Sequence, residues 1–319
     1  MHEITVVDHI ADFRDIVRDH RRAGDSIGFV PTMGSLHDGH ASLMRRAAAE
    51  TDLATASIFV NPLQFGPGED YASYPRNLDR DTDVAAEAGV DLVFAPSAAE
   101  MYPDGAIASK VSVSGLDLHW EGESRPGHFD GVATVVTKLF NIAGPCRAYF
   151  GEKDFQQLTI IQTMVHDLSM PVVIVPCPTV REPDGLAMSS RNANLDRDER
   201  RAATCLIRAL EAGRSAIAEG LSDATEIGHI MAAVVEAEPL ARLDYAAPVT
   251  SDTLEVPPVV SVTDRLIVAA HVGQTRLIDN CSVVDNEAHT RAESPHRDVS
   301  AAARPAQYAE TPADTEVHS

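Results

Sequence analysis

Lysine is nearly missing from this chain. Only Lys110, Lys138 and Lys153 occur among 319 residues, so almost all of the 26 basic side chains are arginine. The bases are also outnumbered by 48 acids, for a formal net charge of -22. A field of that sign repels nucleic-acid phosphates and anionic bilayers, which argues against both as partners. Cysteine is scarce as well. Cys146, Cys177, Cys205 and Cys281 stand far apart with no CxxC pair, which speaks against a disulfide framework or a Cys-rich zinc site and for reduced thiols. No apolar run approaches the roughly 20 residues of a membrane helix. The first twenty residues carry early acids and no apolar signal core, so a soluble cytoplasmic protein is expected. Neither GxxxxGK[ST] nor GxGxxG occurs, which weighs against a P-loop NTPase and a dinucleotide-binding dehydrogenase.

What is present is an ordinary globular balance, 44% hydrophobic and 23% charged, in a chain long enough for a sizeable core. Apolar runs of strand length alternate with segments of helical spacing. Strands are predicted at 4–7, 26–31, 53–60, 91–95, 148–150 and 172–175. Helices are predicted at 9–22, from 37 to 50, near 79–88, at 130–143 and at 155–168. Such alternation implies an α/β domain over 1–178, a parallel sheet with helices on both faces. From 179 the pattern changes. Helical stretches at 196–219 and 223–237 precede β-like runs at 243–246, 259–262 and 266–270, which predicts a smaller α+β domain over 179–284. Residues 285–319 have almost no large apolar side chains and no periodicity, so this tail is expected to be disordered.

Four constellations carry candidate chemistry. In PTMGSLHDGH (31–40) a strand runs through a Gly turn to a helix start bearing His37 and His40. Free N–H groups and the positive dipole end there suit an anion, and imidazoles at i and i+3 share a face. Capping or solvated histidines are an equally good reading of that spacing alone, and a metal pair is a second alternative, though no third ligand is obvious nearby. In SIFVNPLQF (57–65), Asn61 and Gln64 follow a strand end, where open α/β sheets bind ligands; Asn-Pro turn chemistry is the blander alternative. In FGEKDFQQL (150–158), Lys153 can neutralise phosphate, Asp154 can cap a helix or meet a ribose or metal, and Gln157 falls one turn in. A capped helix with solvated charges explains the same residues. In DGLAMSSRN (184–192), Ser189, Ser190 and Arg191 make a candidate phosphate clamp, or an ST-type turn before the next helix.

Taken together with YPRNLDRD (74–81), EGESRPGHFDGVATVVTKLFN (121–141) and TRLIDN (275–280), these stretches stand in the order and spacing of the pantothenate synthetase (pantoate–β-alanine ligase) family, and the chain resembles that family over roughly residues 2–284. The resemblance implies a Rossmann-like nucleotidylyltransferase domain of the HxGH superfamily followed by a lid, usually as a dimer. It implies ATP-dependent condensation of pantoate with β-alanine through a pantoyl adenylate. His37-Asp38-Gly39-His40 takes the place of HxGH, and 188–191 that of the KMSKS-type loop of class I tRNA synthetases. By that likeness the ATP site includes Met33, Gly34, Ser35, Leu36, His37, Asp38, Gly39 and His40. It continues with Gly151, Glu152, Lys153 and Asp154, and closes with Val180, Met188, Ser189, Ser190 and Arg191. Gln64 and Gln157, with Asn61, are assigned to pantoate, and Gln64 also to β-alanine. His40, His37, Lys153 and Arg191 are the catalytic set, His40 being the proton donor. Mg²⁺ is expected on the phosphates, with Asp81 as its candidate protein partner.

Three other readings compete. A nucleotidylyltransferase acting on a phosphorylated acceptor would share the HxGH and SSR segments but calls for extra Lys or Arg where Gln64 and Gln157 stand. A tRNA synthetase-like protein sits poorly with the acidic balance. A non-catalytic nucleotide-binding module leaves His37, His40, Lys153 and Arg191 without a task.

Overall fold

The computed structural model describes residues 4–66, 71–72, 74–105 and 107–284. The tail expected at 285–319 lies outside the described residues. The chain begins β1 (Thr5–Val7), α1 (Ile10–Ala23), β2 (Ile27–Thr32), α2 (Asp38–Glu50), β3 (Leu53–Ile58), α3 (Leu78–Glu87) and β4 (Leu92–Phe94). Two single-turn helices follow, α4 (Ala98–Met101) and α5 (Glu121–Ser124), then α6 (His128–Ala143), β5 (Cys146–Gly151), α7 (Phe155–Asp167) and β6 (Val172–Cys177). The remainder is α8 (Arg197–Ala203), α9 (Cys205–Ala218), α10 (Ala224–Glu236), β7 (Ala241–Val249), β8 (Arg265–Val272) and β9 (Thr275–Ser282).

The first six strands form one parallel sheet in the order β1-β4-β3-β2-β5-β6. Successive side chains on a strand face opposite ways, and the sequence uses both faces. Ile27 and Phe29, Leu92 and Phe94, and Ala148 and Phe150 join the core under α1, α6 and α7. Val30, Val93 and Tyr149, their neighbours in sequence, join the core under α2 and α3. Fully buried side chains such as Phe13 and Phe29 each contribute about 1.5–3 kcal/mol on burial. The expected sheet with helices on both faces is therefore present, with most element boundaries within two or three residues of the pattern.

Strand order reverses between β2 and β5, which lie side by side: β3 and β4 extend one way from β2, β6 the other way from β5. At such a switch point the loops leaving the two strands part and open a crevice at their carboxyl ends. The loops in question are 33–37 and 151–154, which belong to two of the four segments singled out above.

Beyond β6 an antiparallel sheet, β7-β8-β9, carries α8, α9 and α10 on one face. Leu266, Val268, Ala270 and Val272 of the central strand point into that helical layer. Ile267, with Ala247 and Val249 of β7, turns to the core of the parallel sheet. Two expectations need correction. The helix at 196–219 is broken at Thr204 into α8 and α9. The run 259–262 is not a strand: it follows Pro257-Pro258, which offer no N–H, makes one isolated bridge from Val259 to Asp223, and leaves Val259 61% and Val262 67% exposed. The third strand is Thr275–Ser282, whose Thr, Arg, Asp and Asn conceal its register.

Candidate active site

The turn after β2 is held in an unusual backbone shape. Gly34 (φ 83°) and Ser35 (φ 52°) both take left-handed conformations, and the second is costly for a residue with a Cβ. Asp81 of α3 compensates. Its carboxylate is 1% exposed and accepts the N–H groups of Ser35 and Leu36, each at 2.8 Å. Both oxygens of Asp81, the candidate metal partner, thus accept backbone donors beneath the turn. Leu36 is likewise turned inward as a fully buried core side chain, so only its backbone can face a ligand.

At the start of α2 the two histidines close a reciprocal cap. His37 Nδ1 accepts the Gly39 N–H at 3.1 Å, and His40 Nδ1 accepts the His37 N–H at 3.4 Å. Gly39 is required because a Cβ there would stand 2.8 Å from His37 Cε1. With both Nδ1 atoms accepting, each neutral ring carries its proton on Nε2. Neutrality follows from the surroundings. Burial and then the Lys153 charge lower His37, while burial and the neighbouring His37 push His40 down to about 3. The result is two Nε2–H donors on rings whose centroids lie 4.1 Å apart.

The histidine shift has a consequence for stability. Unfolding returns His40 to its ordinary 6.5, so below that value the unfolded chain binds a proton that the folded chain refuses. This group's contribution therefore falls as pH drops from about 6.5 towards 3. The parent chain is expected to lose more in Tm between pH 7 and pH 4 than His40→Ala does; equal losses would contradict a neutral, desolvated His40.

Across the crevice, β5 ends at Gly151, and a single 3-10 turn, Glu152–Asp154, leads into α7. Lys153 Nζ lies 3.6 Å from Asp154 Oδ1, with the lysine side chain 18% exposed. Burial raises the Asp154 carboxyl, but the charges of Lys153 and Arg191 outweigh it and the net shift is downward. Lys153, Asp154, Gln157 and Arg191 line one cleft, which also takes in Arg125 and His128. Gln156 also lines this cleft, but its amide is spent on the Glu121 N–H and the carbonyls of Leu116 and His119.

The third wall is the segment after β6. A short hairpin pairs Arg181 with Ala187 and joins the Met188 N–H to the Val180 carbonyl, so Val180 and Met188 are neighbours. Met188 Cβ lies 3.6 Å from where a Cβ on Gly39 would stand, which seats this loop against the start of α2. Ser189 Oγ accepts the Arg191 N–H at the head of a 3-10 turn, Ser190–Asn194.

The fourth element is the turn Pro62–Gln64. Asn61 is 1% exposed and its amide is fully employed. It donates to Gln64 Oε1 (3.2 Å) and the Gly131 carbonyl (3.1 Å), and accepts from Tyr102 Oη (2.8 Å) and the Leu63 N–H (3.3 Å). These bonds fix the Asn61 side chain between the turn, α6 and Tyr102. Gln64 Nε2 reaches Met33 Sδ at 2.9 Å, linking this turn to the one after β2. His128 Nδ1 donates to the Gln64 carbonyl at 2.8 Å, and Arg125 Nη1 donates to His128 Nε2 at 3.0 Å.

Residues 5–282 match the family model described as pantoate-beta-alanine ligase. A pantothenate synthetase of Rubrobacter xylanophilus is 53% identical over 279 residues, covering 85% of this chain and 96% of the relative. The chain belongs to the pantoate–β-alanine ligase family. A Caldicellulosiruptor saccharolyticus pantothenate synthetase is 50% identical over 282 residues, covering 88% of this chain and 99% of its own. Among solved structures, the pantothenate synthetase of Thermus thermophilus superposes with a TM-score of 0.83 at 49% identity, over 88% of this chain and 99% of that one. The Francisella tularensis ligase, solved with beta-gamma ATP and beta-alanine, superposes with a TM-score of 0.72 at 35% identity, over 88% and 98%. The family match stops short of residue 285, where the tail begins.

Sequence reading of the pantoate–β-alanine ligase motifs missed three contributors. Arg125 and His128 stand inside EGESRPGHFDG, where no spacing singles them out. Asn280 lay in TRLIDN, far from every other motif. Its amide donates to the carbonyls of Glu152 (3.0 Å) and Lys153 (2.8 Å).

Proposed function

We propose that this chain joins pantoate to β-alanine at the expense of ATP, releasing AMP and pyrophosphate through a pantoyl adenylate. The observation that carries the reading is the meeting of two kinds of group around the β2–β5 crevice: donors and charges suited to phosphate, and neutral amides suited to a polar acid. His37, His40, Lys153 and Arg191 belong to the first kind, Gln64 and Gln157 to the second.

The chemistry follows from those groups. A pantoate carboxylate oxygen attacks the α-phosphorus of ATP, and the bond to pyrophosphate breaks. Charge builds on the phosphoryl oxygens and the leaving group, where the two Nε2–H donors, the ammonium and the guanidinium stabilise it. The amine of β-alanine then attacks the acyl carbon and AMP departs. Phosphate beside His40 favours its charged form and brings its proton-donor role within range. No protein nucleophile is called for: burial pushes the thiols of Cys146, Cys177, Cys205 and Cys281 up to between about 11 and about 12, and none lines the cleft.

Mg²⁺ enters this reading with the nucleotide. Asp81 is committed to backbone N–H groups, Glu152 to Arg265, and Asp154 faces Lys153; among the described residues no group of three or more acids, histidines or cysteines forms a cage. The donor set fits an ion held by phosphate oxygens and water, which would neutralise phosphate charge. Residues 1–178 would bind ATP and pantoate and 179–284 would act as the lid. The described residues contain no helix long and apolar enough to cross a membrane. A cytoplasmic homodimer is the expected working form, which sedimentation of the purified chain tests.

The direct test is product formation. With ATP, Mg²⁺, pantoate and β-alanine, AMP and pantothenate should appear in equal amounts. Nucleotide transfer to a phosphorylated acceptor, with none to pantoate, would instead support a nucleotidylyltransferase.

A further inference from the structure

The last strand of the fold reaches into the phosphate side of the cleft. Asn280 of β9 is 4% exposed and its amide is engaged through both polar atoms. Its Nδ2 donates to two successive carbonyls, those of Glu152 and Lys153. Its Oδ1 accepts from Arg265 Nε at 2.6 Å. Arg265 of β8 in turn reaches Glu152 Oε2 at 2.7 Å and lies 4.2 Å over the ring of Phe155. Three of the four residues from Glu152 to Phe155 are thus gripped from the far sheet. The lysine's own ammonium pairs with Asp154, its neighbour in sequence, which does little to fix the turn itself. The 3-10 turn that carries it has no side-chain cap at its start.

We propose that Asn280 is a positioning residue for adenylation, acting through the backbone of Glu152 and Lys153 to aim the Lys153 ammonium at the phosphates. The inference rests on the role given to Lys153 above. An amide is the side chain this position needs, because it donates twice to carbonyls and accepts once from a guanidinium. Aspartate has the same shape, but it would turn an oxygen towards the two carbonyl oxygens and drive the turn away. A misplacement of about 1 Å at a charged catalytic group is enough to slow chemistry markedly.

A double-mutant cycle on the full chain tests this, read as the kcat and KM of pantoate-dependent pyrophosphate exchange in the parent, Asn280→Asp, Lys153→Ala and the double variant. Asn280→Asp is expected to lower kcat by about tenfold or more while KM for pantoate moves by less than about threefold. In the Lys153→Ala background the same change should cost less than about twofold, because the group it positions is gone. Equal fold losses in both backgrounds would overturn the positioning role while leaving the lysine's role intact. So would a rise in KM with kcat unchanged. Parent-level turnover in Lys153→Ala would overturn the lysine assignment itself, and is told apart by that single variant. Should Asn280→Asp fail to fold, Asn280→Ser, which keeps one donor, takes its place in the cycle with the same expected pattern at smaller amplitude.

Discussion

Replacing Lys153 with alanine is expected to slow turnover on the order of a hundredfold, about 3 kcal/mol of barrier, with little change in pantoate KM. Phosphate charge near the ammonium grows between the bound complex and the transition state, so its loss registers in kcat rather than in ground-state binding. The lysine is mostly buried beside Asp154, where water screens its charge little. Gln157 provides the contrast. It lines the same cleft, but an amide holds a polar acid about equally well throughout the reaction. Gln157→Ala should therefore raise pantoate KM by roughly tenfold while kcat changes far less. Steady-state kinetics with pantoate varied at saturating ATP and β-alanine separates the two outcomes. A Lys153 variant with near-parental kcat would remove the lysine from the chemistry.

Gly131→Ala is expected to injure both stability and pantoate use, although the residue does not line the cleft. A Cβ at this position in α6 would stand 2.3 Å from the Leu63 carbonyl oxygen and 2.6 Å from Gln64 Cα. Those atoms are backbone and cannot swing aside, so either the helix or the Pro62–Gln64 turn must retreat. Overpacking of this kind costs about 1–3 kcal/mol, a fall in Tm of roughly 3–10 °C for a domain of this size. The same displacement breaks the Asn61–Gly131 hydrogen bond and shifts Gln64. A misplacement near 1 Å would lower kcat/KM for pantoate on the order of a hundredfold. Thermal melts and pantoate titrations on one preparation read both effects. Unchanged melting with unchanged pantoate KM would mean that the close approach of helix and turn is not needed.

These predictions draw unequally on sequence and structure. The parallel sheet was legible because strands buried on both faces read as short apolar runs between helical segments, and Phe29 beside Val30 or Leu92 beside Val93 marked both period and length. The HxGH and GEKD segments were legible as helix starts after strands, and the crevice between them follows from the strand order. The region after β6 was harder to read. Val259 and Val262 look like strand residues by composition, yet they are exposed and follow a pair of prolines. Thr275–Ser282 looks polar, yet it is a strand whose Asp279 and Asn280 are buried against Arg181 and the Lys153 turn. A buried polar side chain satisfied by a partner a hundred residues away leaves no periodic signal. Asp81 was opaque for a related reason: its service to the Ser35 and Leu36 N–H groups depends on a left-handed turn that the sequence does not announce.

The central claim is that the acid is activated as an adenylate before the amine arrives, in a site that offers donors to phosphate and whose cleft no cysteine lines. The most direct measurement is exchange of labelled pyrophosphate into ATP in the presence of Mg²⁺ and pantoate, with β-alanine withheld. Exchange should proceed under those conditions, vanish without pantoate and fall sharply in His40→Ala. Exchange that appears only when β-alanine is added would contradict the account.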